Sequence, residues 1–504
     1  MLEGGVIRTL DIHAQAEGIT IDLFTIIDTG TEFSSHLSSF NEAKVCLLYY
    51  NEDVVTIHWQ LRDLPNSDRI IAIDTRLQTS PKPRVLTSVS LESTDKIFAR
   101  HTAHYLYYGT YSSVGSQGYY EWEIQGISLD NSNDKFSCNL LQLHEFFGTD
   151  IGSTLAFEIH KGYFYAVSNQ TSFEVEEIDW TSFYHCIRFP IDNPQPEKWE
   201  SNKKVWRRQH DEGVMHDSWT DLSLQVDESS DKLMIVEARR EYQKSCSRQV
   251  RTYYISEFIS GIQSPPSSED GTPILESTAG PMLPWGDAFV QTLDATNNPN
   301  YAPSEPRYNW NFHPEMPFRS NPGRSFILAR TKFRAYNYSC SSFLDLVEDD
   351  RCCNATSSPC IRLRIGSRRV ASPKWDIVNP QLLSPPALPG DVAYRHSPVN
   401  LWPPPSSKCP CSKRLHQILN PSLPSGPTYS TNITGALDER SLVYMIRPGR
   451  SYSGDDSALG VIINVNFNRG PIPPKATKKQ LHEQPQCDSA WYWAPGACRS
   501  GTCH

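Results

Sequence analysis

The segment from Thr154 to Phe189 constrains the fold most, because short apolar runs alternate there with tight polar turns. The pair Lys161-Gly162 separates the first two runs, and glycine tolerates the positive φ that a two-residue hairpin turn requires. Alternation with a period of two is typical of strands with one face toward a core. The sequence therefore predicts a four-stranded antiparallel meander, with strands LAFEIH (155–160), YFYAVS (163–168), SFEVEE (172–177) and FYHCIRF (183–189).

One such sheet cannot cover both of its own faces, so neighbouring copies must pack against it. Similar runs recur before and after it, at 54–61, 69–74, 84–91, 96–102, 104–111, 119–129, 219–227, 233–242, 251–256, 331–338, 361–366, 440–447 and 459–467. We predict an all-β fold, a β-propeller-like domain of four-stranded antiparallel blades, with six to eight blades. A β-sandwich, or several smaller β domains, is the alternative.

Two long segments interrupt this pattern. Residues 261–322 and 367–435 are rich in Pro, Ser, Asn and Gly, a composition that removes ladder donors and buries little apolar surface. We predict a single β-propeller-like domain over residues 1–470 with irregular insertions at these two places. Residues 471–504 are predicted to form an irregular, cysteine-containing tail.

Composition excludes several classes of function. The net charge of −10 disfavours nucleic-acid binding, which depends on clustered Lys and Arg, and no run of about 18 apolar residues predicts a membrane span. The first 15 residues lack the pattern of a secretory signal peptide. The 13 cysteines are therefore expected to be reduced, in an intracellular protein of the cytoplasm or the nucleus.

No complete catalytic or cofactor motif is present. A nucleophile elbow, a phosphate loop, a zinc-protease helix and a dinucleotide turn are all missing, and we predict no cofactor. Two groups of Cys and His residues could be considered as zinc ligands. Neither group has the paired, closely spaced cysteines that structural zinc sites commonly use, so we predict exposed thiols and no metal. The groups are Cys409, Cys411 and His416, and Cys487, Cys498, Cys503 and His504.

A group of carboxylates supports the alternative that the protein is an enzyme. Glu158, Glu174, Glu176 and Asp179 lie close together in sequence, and a propeller hydrolase could use paired acids near its central channel. Glu174 and Glu176 also fall on the polar side of an alternating strand, where a solvated face is the ordinary interpretation.

The segment WRRQHDEG (206–213) allows three interpretations. Its arginines and tryptophan could grip a nucleic acid, although Asp211 and Glu212 weaken that positive field. His210 could act in catalysis if the fold supplies a nucleophile and an orienting acid. Otherwise Trp206 packs on the sheet and the arginines pair with nearby acids, which makes the segment structural.

Longer motifs closely resemble a family of fungal F-box proteins. The resemblance is strongest over residues 85–256 and patchier over 325–470. The motifs that carry it are HYLYYGTY (104–111), EWEIQGISL (121–129), the run 151–192, KVWRRQHDEGVMHDSWTDLSL (204–224), IVEARREY (235–242), RTYYIS (251–256), FLDLVEDD (343–350), IRLRIGSRR (361–369) and LDERSLVYM (437–445).

This resemblance implies a non-catalytic substrate-recognition subunit of a cullin–RING ubiquitin ligase. In that family an N-terminal helical F-box binds the Skp adaptor, and the β-rich region recognises the target protein. The apolar helical pattern of an F-box does not occur in these 504 residues. Binding of the Skp adaptor is therefore expected only if an F-box lies upstream.

We therefore predict a protein-interaction module whose partner is the protein substrate of a ubiquitin ligase. The expected partner surface consists of Trp206, Arg207, Arg208 and His210, with no catalytic residues, no nucleic acid and no membrane. A β-propeller hydrolase with carboxylates at its channel remains the alternative.

Overall fold

The computed structural model describes the chain in separate stretches. These are residues 2–3, 5–9, 19–23, 43–61, 68–76, 84–116, 118–130, 140–170, 181–209, 220–242, 249–258, 330–340, 342–349, 360–370, 394–396, 400–403, 410–423, 431–449 and 460–467. Contacts divide the chain into two compact units. The first comprises Met1–Ile327 and Arg368–Pro398, and the second comprises Leu328–Ser367 and Val399–His504.

The first unit is built from small antiparallel sheets that follow one another along the chain. The first sheet is β1 (Leu2–Glu3), β2 (Val6–Arg8) and β3 (Thr20–Asp22), and the second is β4 (Ala43–Asn51), β5 (Val54–Leu61), β6 (Arg69–Asp74) and β7 (Val85–Ser90). The third is β8 (Phe98–His101), β9 (Tyr105–Val114), β10 (Tyr120–Ser128) and β11 (Leu141–Leu143). The fourth is β12 (Leu155–His160), β13 (Tyr163–Ser168), β14 (Thr181–Pro190) and β15 (Glu200–Gln209), and the fifth is β16 (Asp221–Val226), β17 (Leu233–Tyr242) and β18 (Gln249–Glu257).

Neighbouring sheets of this unit meet through their first strands. Strand β4 contacts β8, β8 contacts β12, and β12 contacts β16, so the later strands of each sheet lie progressively farther out. The apolar cores lie between consecutive sheets. For example, Trp122 and Phe98 of the third sheet pack with Phe157 and Phe164 of the fourth. This is the arrangement of β-propeller blades, and the predicted all-β propeller fold is confirmed.

The hairpin predicted at Lys161-Gly162 is present. His160 pairs with Tyr163, and both turn residues have positive φ, 47° and 77°. This is the backbone sign that a two-residue primed turn requires.

The rest of that meander differs from the prediction. Strand β13 pairs directly with β14, and the fourth strand is β15, while the predicted strand 172–177 lies outside the described residues. Strand β15 reads ESNKKVWRRQ, which lacks apolar alternation, so its pairing with β14 rather than its own pattern makes it a strand.

The second unit repeats this construction. It contains β19 (Arg330–Asn337), β20 (Ser342–Asp349), β21 (Cys360–Val370) as far as Ser367, β23 (Asn400–Trp402), the helix α1 (Pro410–Leu419), β24 (Thr431–Leu437), β25 (Ser441–Pro448) and β26 (Val461–Asn466). Its sheets meet through β19 and β24, again first strands, over a core that includes Leu363, Leu419 and Tyr444.

The predicted insertions have different outcomes. Residues 261–322 and the tail 471–504 lie outside the described residues. The segment 367–435, in contrast, contains β23, α1, the start of β24, and a short strand β22 (Tyr394–His396) that pairs with the end of β21. Proline at the first position of α1 is compatible with a helix, because that position needs no backbone N–H.

Candidate functional site

Three of the four residues of the predicted partner surface lie on strand β15. Trp206 is paired with Phe183 and Arg208 with Ser182 along the backbone, but their side chains, like the whole of His210, lie outside the described part. Arg207 is described fully and is only 5% exposed. Its guanidinium points into the fold. Arg207 was predicted to line an exposed partner surface, and its burial shows that it does not.

Arg207 belongs to a buried charge cluster centred on Glu237. Its Nη2 donates to Glu237 Oε1 at 2.7 Å, and its Nε lies 3.1 Å from both carboxylate oxygens. Arg239 donates to Oε2 through Nη2 at 2.7 Å and Nε at 2.9 Å. Tyr184 donates its hydroxyl to Oε2 at 2.6 Å, and Asn169 donates its amide to Oε1 at 3.1 Å.

The cluster joins two sheets of the first unit. Glu237 and Arg239 lie on β17 of the fifth sheet, while Arg207, Tyr184 and Asn169 come from the fourth sheet and the turn after β13. Arg239 also donates to the backbone carbonyl of Arg207 at 3.1 Å. Both oxygens of the carboxylate therefore accept several hydrogen bonds from rigid neighbours.

The electrostatics follow from this geometry. Burial alone would raise the pKa of Glu237, but the two guanidiniums and the hydrogen bonds outweigh burial and lower it. Burial and the neighbouring carboxylate raise the pKa of Tyr184. Arg239 further stacks over the ring of Tyr254 at 3.8 Å. An ionised carboxylate whose acceptor positions are occupied is a poor proton acceptor, so the cluster suits a structural role.

Glu158, the first carboxylate of the enzyme alternative, lies on the inner strand β12. Its Oε1 accepts a hydrogen bond from Tyr49 at 2.8 Å, and its Oε2 lies 3.7 Å from Arg100 Nε. Arg100 also donates to the carbonyl of Phe157 at 2.7 Å. Three inner strands are thereby tied together, since Tyr49 lies on β4, Arg100 on β8 and Glu158 on β12.

The other carboxylates of that alternative, Glu174, Glu176 and Asp179, lie outside the described residues. Beside Glu158, the ring of His101 meets that of Tyr49 edge-on at 5.1 Å and is completely buried. Burial lowers the pKa of His101 to about 4, so its ring is neutral at pH 7.

A second buried arginine cluster lies in the second unit, and sequence reasoning missed it. Arg364 donates to Asp345 Oδ2 through Nη2 at 2.6 Å and Nε at 3.0 Å, and both side chains are fully buried. Arg362 donates to Asp349 and to the carbonyls of Leu401 and Pro403. In the run IRLRIG (361–366) both arginines alternate with apolar residues, and this alternation alone does not distinguish a buried arginine from a solvated one.

The described residues contain no group of three or more His, Cys, Asp or Glu placed to hold a metal ion. The sequence offered two candidate zinc groups. Among their members only His416 has a described side chain, which is buried in α1. Cys409 and the group Cys487, Cys498, Cys503 and His504 lie outside the described part, as does the side chain of Cys411.

Exposed apolar side chains concentrate at the end of the β9–β10 hairpin. Val114, Tyr119 and Tyr120, which we call the hairpin tip, are 61%, 52% and 57% exposed. Val114 and Tyr120 stand directly opposite each other. The ring of Tyr120 lies 6.2 Å from Tyr111, which lies 5.5 Å from the fully buried Trp122. An aromatic row thus runs from the tip into the core.

No protein-family model matches this chain, and no curated protein matches it. Among solved structures, prolyl oligopeptidase B from Galerina marginata is 8% identical, with a TM-score of 0.28, over 88% of this chain and 54% of that one. A glycoside hydrolase is 7% identical, with a TM-score of 0.23, over 87% and 91%. A hypothetical protein from Leishmania major is 9% identical, with a TM-score of 0.18, over 42% and 61%.

This chain spans about half the length of the prolyl oligopeptidase. With TM-scores this low, these likenesses say nothing about substrate or activity here. Within the described residues, no helix has both the length and the apolar character needed to cross a membrane.

Proposed function

We propose that this chain is a protein-interaction module, the target-recognition region of an F-box subunit of a ubiquitin ligase. The observation that carries the proposal is the hairpin tip, a cluster of exposed apolar side chains. The resemblance of the sequence to fungal F-box proteins supplies the ligase context, and the motifs HYLYYGTY and EWEIQGISL overlap the two strands of this hairpin.

The tip has the properties of a binding anchor. Tyr119 and Tyr120 bring large apolar area with few rotatable bonds, and tyrosine is enriched among the residues that dominate binding energy. The contact of Tyr120 with Tyr111, and of Tyr111 with Trp122, holds part of this surface in place before any partner arrives. A preformed surface loses less conformational entropy on binding.

The buried charge clusters favour the same conclusion. Glu237 is saturated with hydrogen bonds, and Glu158 is shared between Tyr49 and Arg100. Both carboxylates suit contacts between sheets better than proton transfer. The hydrolase alternative therefore gains no support from these two acids.

The test compares proteins captured in cells by the tagged full chain and by the Tyr119→Ser, Tyr120→Ser double variant. A true target is lost with the double variant, and its affinity for the purified chain falls roughly thirtyfold, as expected for losing hot-spot residues. The matched control is Val226→Ser, which removes a 38% exposed apolar side chain from β16 of another sheet. This control keeps the target.

The ligase part of the proposal needs a separate arm. The chain, and a version extended upstream through in-frame coding sequence, are incubated with purified Skp adaptor. Capture by the extended version, with ubiquitination of the target that depends on the tip, supports the proposal. Targets that bind the double tip variant as tightly as the wild-type chain would overturn the recognition surface. An extended chain that does not bind the adaptor would overturn the ligase role.

A further inference from the structure

Three reactive side chains come together at one end of the second sheet. Cys46 lies on β4, His58 lies on β5, and Asp68 directly precedes β6. The strand order β4-β5-β6 places the imidazole between the thiol on one side and the carboxylate on the other. Nucleophilic catalysis combines these three groups as the nucleophile, the base and the acid that orients the base.

The carboxylate of Asp68 fixes the imidazole of His58. Asp68 Oδ1 lies 2.8 Å from His58 Nε2, and the two side chains are only 17% and 13% exposed. Asp68 is itself held in place, because its backbone carbonyl accepts a hydrogen bond from the N–H of Leu91 at 2.9 Å. A ring nitrogen that donates to a carboxylate leaves the other nitrogen as the proton acceptor. In this pair Nδ1 of His58 is the nitrogen that can take a proton.

The thiol of Cys46 lies on the β4 side of this ring. Cys46 and His58 are direct partners in the register of β4 and β5. Directly opposite residues project from the same face of a sheet, with their Cβ atoms about 4.5–5.5 Å apart. Cys46 is a free cysteine of intermediate exposure, so its sulfur is neither in a disulfide nor sealed in the core. Nucleophile and base are often farther apart in a free protein and close up when a substrate binds.

The surroundings of these side chains suit proton transfer better than metal binding. The described residues contain no group of three or more His, Cys, Asp or Glu placed to hold a metal ion, and this set is no exception. Ile70, directly opposite His58 on β6, is completely buried in an apolar core with Val54 and Ala72. The ring of His58 therefore lies at the rim of that core, where low polarity strengthens its hydrogen bond to Asp68.

We propose that Cys46 is a nucleophilic thiol that accepts acyl groups from activated esters and thioesters. His58 is its general base, and Asp68 is a positioning residue that acts through His58. Nδ1 of His58 takes the thiol proton as Sγ of Cys46 forms a bond to the acyl carbon. The bond from that carbon to the oxygen or sulfur of the donor breaks, and His58 returns the proton to this leaving group. The products are an acyl thioester on Cys46 and a free alcohol or thiol, so no oxidant or reductant takes part.

The experiment compares two thiols of the same molecule. The reduced full chain is mixed with p-nitrophenyl acetate at pH 7, and peptide mass spectrometry measures the acetylation rate at each cysteine. Cys340, in the turn between β19 and β20, is exposed, whereas Cys46 is only partly exposed. Accessibility alone therefore predicts faster acetylation of Cys340. The proposal predicts that Cys46 is acetylated roughly tenfold faster than Cys340 or more, since a positioned general base adds at least this factor.

Two variants and a pH series separate the roles of the base and the acid. His58→Gln should lower the acetylation rate of Cys46 roughly tenfold or more and leave that of Cys340 unchanged. From pH 8 to pH 7 the rate at Cys340 should fall roughly tenfold as thiolate is lost. The rate at Cys46 should fall much less over this range, because the thiol proton goes to His58 instead of to the solvent. Asp68→Asn should slow Cys46 and make its rate depend on pH as steeply as that of Cys340.

Cys186 is the internal control for folding, because it is completely buried on β14 and reacts only when the chain unfolds. A wild-type chain in which Cys46 reacts no faster than Cys340 overturns the proposal. So does an unchanged rate at Cys46 in a His58→Gln chain whose Cys186 stays protected. If His58→Gln unfolds, the wild-type pH series decides, and a rate at Cys46 that falls as steeply as that of Cys340 overturns the proposal. None of these outcomes depends on the hairpin tip or the ligase.

Discussion

At the scale of single residues, one buried carboxylate links two sheets of the first unit. Glu237 is completely buried and accepts hydrogen bonds from Arg207, Arg239, Tyr184 and Asn169. A buried ion cluster of this kind is costly to break, because removing one partner leaves the others charged and desolvated.

The Glu237→Gln substitution keeps the shape but removes the negative charge between two guanidiniums. We expect it to lower the free energy of unfolding by about 3–5 kcal/mol, measured by urea denaturation at pH 7. The control is Glu257→Gln, which breaks the exposed pair with Lys232 at 3.0 Å and should cost about 1 kcal/mol or less. Equal effects of the two substitutions would contradict the structural role of the cluster.

The partners of Arg207 could not be predicted from the sequence. The nearest acids, Asp211 and Glu212, suggested local pairing, whereas the structure pairs Arg207 with Glu237, thirty positions away. Residues 233–239 of β17 are buried on both faces, so Glu237 and Arg239 do not mark a solvated side. Polar residues in such a central strand need partners, but only the tertiary fold determines which partners they find.

At the scale of elements, most strands could be predicted from their alternation. The runs 54–61, 69–74, 155–160, 163–168 and 233–242 match β5, β6, β12, β13 and β17 residue for residue. Strand β15 and helix α1 could not be predicted in this way. Strand β15 has little apolar alternation. Helix α1 lies in a proline-rich part of the sequence, and burial of Leu419 against the sheets of its unit stabilises it.

The turn at Gly162 offers a test of local conformation alone. Its φ is +77°, and a methyl group added there would meet nothing within 4 Å. Gly162→Ala should therefore lower the free energy of unfolding by about 1–2 kcal/mol, solely because a side chain disfavours left-handed backbone. Chemical denaturation measures this difference.

Gly109→Ala provides the comparison, since its φ is ordinary but its added methyl would clash with the backbone carbonyl oxygen of Glu123. That variant must shift backbone and should cost more than Gly162→Ala. If Gly162→Ala had no effect, the turn would not hold the positive φ that the hairpin register implies.

At the scale of the whole molecule, buried histidines should make stability depend on pH. Burial lowers the pKa of both His101 and His185 to about 4, whereas an unfolded histidine titrates near 6.5. Between these values the unfolded chain binds protons that the folded chain does not. Stability is therefore full above pH 6.5 and falls as the pH drops from about 6.5 to 4.

The carboxylate of Glu237 affects the stability of the protein at lower pH than the histidines do. Its pKa is depressed in the folded state, so its contribution is present above the unfolded value of about 4.3 and is lost as the pH falls further. Acid should thus destabilise the protein in two stages, first through the histidines and then through Glu237. The stages occur at different pH because the histidines act between about pH 6.5 and 4, whereas Glu237 acts below about pH 4.3. Burial is the cause of the histidine shift, and ion pairing is the cause of the shift at Glu237.

Replacing His101 by Phe distinguishes the first stage. The substitution keeps an aromatic ring against Tyr49 but removes one titrating group, so the variant should lose roughly 2–3 kcal/mol less than the wild type between pH 6.5 and 4. The measurement is the free energy of unfolding in urea at several pH values across this window. A variant with the wild-type slope would mean that His101 binds its proton over the same pH range in the folded and the unfolded chain, and that its ring is not sealed between β4 and β8.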